Sequence, residues 1–359
     1  LAQGTYDDYL AAGICRQLSN ISIKKGACVT NVFVLMIFVI VLALVFDFLN
    51  GFHDAANSIA TVVVTKTLTP GQAVLMAGLA NFVGCVTFGT AIAKTVGKGI
   101  IQIDHVTLWV LLAALIGAIV WNIITWLLGL PTSSSHALIG GLVGSGIAAA
   151  GTHVVIWGGV LKIVLFIFLA PLIGMLAAIV FTVIIFWIFH KTNYQKSIKF
   201  FKYMQLVSSF VYSIGHGTND AQKTMGIIAL ALFTGGITHT FHLQNWVIIS
   251  CYSAIALGTM LGGWRIVKTM GTKITKLHAK EGFCAETASA LVLLGTAHFG
   301  IPVSTTHVIA GSIMGVGTVE QAGKVHWVTA RKIIFAWFLT IPLTAACAGL
   351  SYKIISFFI

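Results

Sequence analysis

The stretch NGFHDAANS, residues 50–58, lies behind the apolar run VFVLMIFVIVLALVF, residues 32–46, with three residues between them. The run has the length and character of a segment that crosses lipid, yet the nonapeptide carries Asn50, His53, Asp54 and Asn57. The rest of the chain extends this contrast. Of 359 residues, 58% are hydrophobic and 8% are charged, against about 25% charged in a soluble domain. Several apolar runs reach the ~20 residues needed to cross a hydrocarbon core about 30 Å thick. No part of the chain shows the ~10-residue alternating strands of a membrane barrel. The sequence therefore predicts an all-α polytopic membrane protein.

The net charge of +12 does not form a nucleic-acid footprint, because the cations gather in two loops. Lys191, Lys196, Lys199 and Lys202 make one cluster; Arg265, Lys268, Lys273, Lys276 and Lys280 make the other. Short loops rich in Lys and Arg stay on the cytoplasmic side. Two apolar segments, about 206–233 and 245–264, separate the clusters, and an even number of crossings returns the chain to the same face. Loops 191–202 and 265–280 are thus expected to be cytoplasmic, in a cell (inner or plasma) membrane. The six cysteines are scattered without CxxC spacing and read as small hydrophobes. Residues 1–31 are read as a polar N-terminal leader, since they lack the order of a signal peptide.

The opening stretch has a second copy. GFHDAA (residues 51–56) aligns with GTNDAQ (217–222), 166 residues later. GLPTSSSHALIGGLVGSG (129–146) aligns with GIPVSTTHVIAGSIMGVG (300–317) at an offset of 171. Two matches in one order at nearly one offset divide the chain into a first membrane repeat (32–190), a cytoplasmic joint (191–205) and a second repeat (206–359). Secondary transporters often carry such repeats in inverted topology, with broken helices at the substrate site. The segments after Gly129 and Gly300 are expected to be breaks of this kind, or re-entrant hairpins.

A Gly-x-Pro break followed by three hydroxyls has the grammar of a helix N-terminus. A helix begun inside the membrane leaves its first N–H groups unpaired and places the positive end of its dipole there, which makes an anion site. Ser133, Ser134 and Ser135, with Ser304, Thr305 and Thr306, could together surround a tetrahedral oxyanion. Alternatively, such hydroxyls merely bond the i−4 carbonyl of their own helix; the occurrence of two trios in register favours the site.

Four of the nine acids, Asp47, Asp54, Asp220 and Glu286, lie within or against apolar runs, where an ionisable group costs at least ~2.5 kcal/mol and is usually functional. Asp54 and Asp220 match across the repeat. Asp47 and Glu286 do not, and are read either as functional or as structural acids. An inside-negative potential opposes anion entry by about 2.3 kcal/mol per charge per 100 mV. Co-transported cations at Asp54 and Asp220, with Asn57 and Asn219 beside them, would offset both that voltage and the repulsion of substrate by carboxylate. His53 either carries a proton or holds Asp54 as a neutral partner. His136 and His307 either contact substrate or cap the turn. Lys223 either pairs with Asp220 or reaches the anion.

NGFHDAANS, HGTNDAQKTMG, PTSSSH and PVSTTH closely resemble the motifs of the inorganic phosphate transporter (PiT) family, over residues 32–359 and in both halves. The resemblance implies phosphate import by cation symport through two inverted repeats, no cofactor, a homodimer, and substrate held between hairpin tips near mid-membrane. On the family pattern G-x-N-D-x-x-N, His53 stands where sodium-coupled members have asparagine, and Lys223 replaces the closing asparagine of the second copy. These departures are similar to the bacterial low-affinity branch, where H⁺ drives uptake and a metal–phosphate complex can serve as substrate. If Na⁺ is instead the coupling ion, Asp54 and Asp220 would be its ligands. Two other readings are a symporter of another tetrahedral oxyanion, sulfate or arsenate, and an intramembrane hydrolase. The chain contains no GxSxG, HExxH or GxxxxGK[ST], so no enzymatic activity is expected.

Overall fold

The structure, a computed structural model, describes residues 25–87 and 89–358. The leader expected over residues 1–31 therefore lies outside the described residues as far as residue 24. The described chain is all-helical, with one isolated antiparallel bridge between Ile101 and Val155.

Twelve α-helices follow one another among the described residues: α1 (Lys25–Val64), α2 (Pro70–Thr87), α3 (Ala91–Gly99), α4 (Leu108–Leu128), α5 (Ser134–Ala150), α6 (Trp157–Ile188), α7 (Tyr194–Thr234), α8 (Asn245–Leu261), α9 (Trp264–Thr272), α10 (Ala279–His298), α11 (Thr305–Gln321) and α12 (Trp327–Ser356). The first six recur as the second six, with lengths of 40 and 41, 18 and 17, 9 and 9, 21 and 20, 17 and 17, and 32 and 30 residues. The duplication seen in two motifs thus runs through the whole series of elements. The expected joint, 191–205, runs from the turn after α6 into the first turns of α7.

Among the described residues, five helices are long and apolar enough to span a bilayer: α1 from Asn31, α2, α4, α6 and α12. A sixth candidate span is the pair α8 and α9, bent by 71° at Gly262 and Gly263. Leu161, Leu165, Leu172, Leu176 and Val180 are exposed along α6, so one face of this helix is apolar and outward-facing, as lipid contact requires.

The breaks before α5 and α11 follow from local chemistry. Gly129 and Gly300 adopt φ of 65° and 64°, the left-handed conformation that glycine enters without a Cβ penalty. Leu130 N–H donates to Thr125 O at 2.9 Å and Gly129 N–H to Trp126 O at 3.0 Å. Ile301 N–H and Gly300 N–H repeat this with Thr296 O at 2.9 Å and Ala297 O at 3.1 Å. Both are Schellman ends, and the proline next in sequence cannot continue the helix. Ser133 and Ser304 then cap the new helices, accepting the N–H of His136 and of His307 at 3.2 Å each.

The two restarted helices pack across the halves, α5 along α12 and α11 along α6. Glycine is required at these contacts. A Cβ on Gly144 would sit 2.0 Å from Ala345 O, and one on Gly311 2.2 Å from Pro171 O. Small residues spaced by four permit such backbone approach between membrane helices; Gly140 and Gly144 in α5, with Gly311 and Gly315 in α11, supply that spacing.

Candidate functional site

The restarted helices point their first turns at the middle of α1 and α7, where Asp54 and Asp220 are 2% and 0% exposed. Asp54 Oδ2 accepts from Ser134 Oγ and from Thr306 Oγ1, each at 3.3 Å. Asp220 accepts from Thr305 Oγ1 at 3.2 Å and from Ser135 Oγ at 3.5 Å. Each acid thus takes one hydroxyl from its own half and one from the other. The exchange follows the 171-residue register, which pairs Ser134 with Thr305 and Ser135 with Thr306.

The neighbours follow the 166-residue register in turn. Asn57 Nδ2 donates to Thr306 Oγ1 at 2.9 Å, and Lys223 Nζ, at the equivalent place, donates to Ser135 Oγ at 2.5 Å. Lys223 also pairs with Asp220 Oδ1 at 2.6 Å. His53 Nδ1 lies 2.7 Å from Asp54 Oδ1, and its Nε2 is 3.2 Å from Thr125 Oγ1. Ser134 Oγ, whose one proton is shared between Asp54 and Asn50, lies 2.5 Å from Asn50 Oδ1. His216, the counterpart of Asn50, places Nε2 3.3 Å from Asp220 Oδ2. Ligand atoms of Asp54, His216 and Asp220 all lie within 4.8 Å of one another, a spacing that a single cation could bridge.

Most of the expected site residues converge here: Ser134, Ser135, Thr305 and Thr306 with Asp54, Asp220, His53 and Asn57. Three are placed differently. Ser133 and Ser304 spend their oxygens on the caps, and Asn219 turns away, donating to Gly215 O at 2.9 Å and Leu293 O at 3.1 Å. Of the open alternatives, Lys223 pairs with Asp220. His136 and His307 meet each other, ring centroids 4.8 Å apart, and His307 stacks on Trp337 at 4.0 Å. Trp337 Nε1–H in turn donates to Pro131 O at 2.9 Å, which fixes the first break.

Asn50 and His216 received no role from sequence, although both lie inside the quoted motifs and the 166-residue register pairs them. The two unmatched acids occupy different settings. Glu286 is fully buried and accepts from Thr61 at 2.5 Å, Ser208 at 2.5 Å and Gln205 at 3.1 Å. Asp47 is also fully buried, beside Thr224 and Asn50.

Known proteins share this arrangement of sequence and fold. Residues 50–348 match the phosphate transporter family. A protein of Rhizobium meliloti named "Probable low-affinity inorganic phosphate transporter" is 50% identical over 324 residues, covering 90% of this chain and 97% of the relative. A Bacillus subtilis protein of the same name is 43% identical over 328 residues, covering 90% and 98%. A solved structure named "The sodium-dependent phosphate transporter" superposes with a TM-score of 0.82 at 26% identity, over 91% of this chain and all of the other. The family match takes in the two acids and both hydroxyl motifs, and the chain belongs to the phosphate transporter family.

Proposed function

We propose that this multi-pass membrane protein imports inorganic phosphate by symport with a cation. The observation that carries the reading is the double use of four hydroxyls. Ser134, Ser135, Thr305 and Thr306 are the donors suited to a phosphate, and they are donated to Asp54 and Asp220. A cation at Asp54 would neutralise the carboxylate and weaken its charge-assisted bonds, freeing Ser134 and Thr306 to turn to phosphate. Cation and anion then bind cooperatively through shared donors, which is the thermodynamic content of coupling.

The proton is the favoured coupling ion, because His53 replaces the asparagine of the second copy and bonds Asp54 directly. Na⁺ is the alternative, since the solved relative is named as sodium-dependent. A metal–phosphate complex is an alternative form of the substrate. The two repeats are taken to be inverted in the membrane, a reading supported by the reciprocal packing of α5 on α12 and α11 on α6. The basic segments 191–202 and 265–280 are assigned to the cytoplasmic face of the cell membrane. The second is not simply a loop, since it begins as the helix α9, which on this reading lies at that face with α8 alone crossing. A homodimer is the expected assembly.

Phosphate uptake into liposomes under a pH gradient or a Na⁺ gradient, imposed separately, tests the proposal. Uptake driven by either gradient is the expected result. Sulfate competing as well as phosphate would redirect the assignment to another oxyanion, and no uptake by folded protein under either gradient would overturn it.

A further inference from the structure

Lys223 is 2% exposed, and its ammonium is fully used. An ammonium offers three N–H donors and no acceptor. Here they meet Ser135 Oγ at 2.5 Å, Asp220 Oδ1 at 2.6 Å and Val303 O at 2.8 Å. No donor remains for an anion, so the lysine serves the acid and not the phosphate. Its three acceptors are a hydroxyl, a carboxylate and the carbonyl of an unwound segment, oxygen types that also coordinate hard cations.

The first half builds the same triad. Both registers apply: Thr306 corresponds to Ser135, Asp54 to Asp220, and Thr132 to Val303. Thr306 Oγ1 lies 3.3 Å from Asp54 Oδ2 and 3.3 Å from Thr132 O. At the place of Lys223 stands Asn57, whose neutral amide reaches the hydroxyl of this triad at 2.9 Å. Among the described residues no lysine or arginine forms an ion pair with Asp54. The duplicated site is therefore symmetric in its oxygens and asymmetric in its charge.

We infer that the Lys223 ammonium is a built-in cation that permanently holds the coupling position of the second half, leaving the Asp54 triad to take the exchangeable one. This rests on the symport reading above. It adds that the chain moves one cation fewer per phosphate than a version with an asparagine in both halves. A fixed cation keeps one hydroxyl triad assembled through the cycle, so phosphate binding depends on the ion gradient through the other triad.

The test counts cations. Phosphate affinity of the purified full-length protein is measured across a Na⁺ series at fixed pH and across a pH series corrected for the protonation of phosphate. The slope of log Kd against log cation activity gives the exchangeable cations bound with each phosphate. Lys223→Asn is expected to raise that slope by one for Na⁺ or H⁺, with affinity falling at least about 10-fold at low cation and recovering at high cation. An unchanged slope, or a folded variant that no cation concentration restores, overturns the inference. Should Lys223→Asn fail to fold, Asn57→Lys carries the test: it is expected to lower the slope by one, and an unchanged slope or lost phosphate binding in the folded variant overturns the inference. Wild-type protein that binds phosphate at no cation concentration would instead remove the transport reading itself.

Discussion

Ser134 and Thr306 belong to opposite halves of the chain yet donate to one oxygen, Asp54 Oδ2, at the same distance of 3.3 Å. Thr306 has two further partners, accepting from Asn57 and lying within reach of Thr132 O, where Ser134 has one, Asn50. Thr306→Val should therefore cost more than Ser134→Ala. A hydrogen bond to a charged group contributes about 1.5–3 kcal/mol, roughly 10- to 100-fold in affinity. Phosphate uptake by Thr306→Val is expected to fall within that range. Equal losses in the two variants would show that the contacts Thr306 makes beyond the shared oxygen, to Asn57 and Thr132, carry no weight in transport.

His53 bridges Asp54 and Thr125. If it carries the coupling proton, His53→Asn should flatten the dependence of uptake on pH. Uptake driven by a pH gradient should drop with it. A variant with the pH profile of the parent would make the histidine a neutral brace for Asp54.

Glu286 collects three donors from two other helices. Glu286→Ala leaves those buried donors without an acceptor, at about 1–3 kcal/mol for an unsatisfied group. Its melting temperature in detergent is expected to fall well below that of Glu286→Gln, which keeps one acceptor oxygen. Matching melting temperatures would contradict a holding role for this carboxylate.

Gly144 lies against the backbone of α12, where an added Cβ would come 2.0 Å from Ala345 O. Gly144→Ala must push the helices apart and is expected to lower the yield of folded protein sharply. Gly71→Ala, where nothing lies within 4 Å of the new atom, is the matched control and should behave as wild type. Size-exclusion profiles of the two variants check the contrast.

Much of this architecture is legible in residue types alone. Gly129-Leu130-Pro131 and Gly300-Ile301-Pro302 announce a helix stop, because a left-handed glycine and a proline each have one local use. Repetition at two offsets marks Asp54, Asp220 and the hydroxyl trios as partners in one site. Within each trio the division of labour is hidden. The first member caps, and the next two reach the acids, an outcome set by where the helix resumes to within one residue. The crossed pairing of Ser135 with Asp220 and Thr306 with Asp54 depends on how the halves dock, which no local pattern encodes. The same holds for Glu286, whose partners Thr61, Gln205 and Ser208 are far away in sequence. His216 and Asn50 could have been found by carrying the 166-residue offset one residue further back.

The reciprocal seating of α5 on α12 and α11 on α6 also bears on how the chain is made. The glycine face of α5 finds the backbone it fits, around Ala345, only after about 200 further residues have been synthesised, which at 5–20 residues per second takes roughly 10–40 s. Until then the first half exposes a buried-type surface, with its polar residues Ser134 and Asp54 lacking Thr306. The first half released alone would have no way to complete its own site, because α12, made about 200 residues after Gly144, is what seats α5.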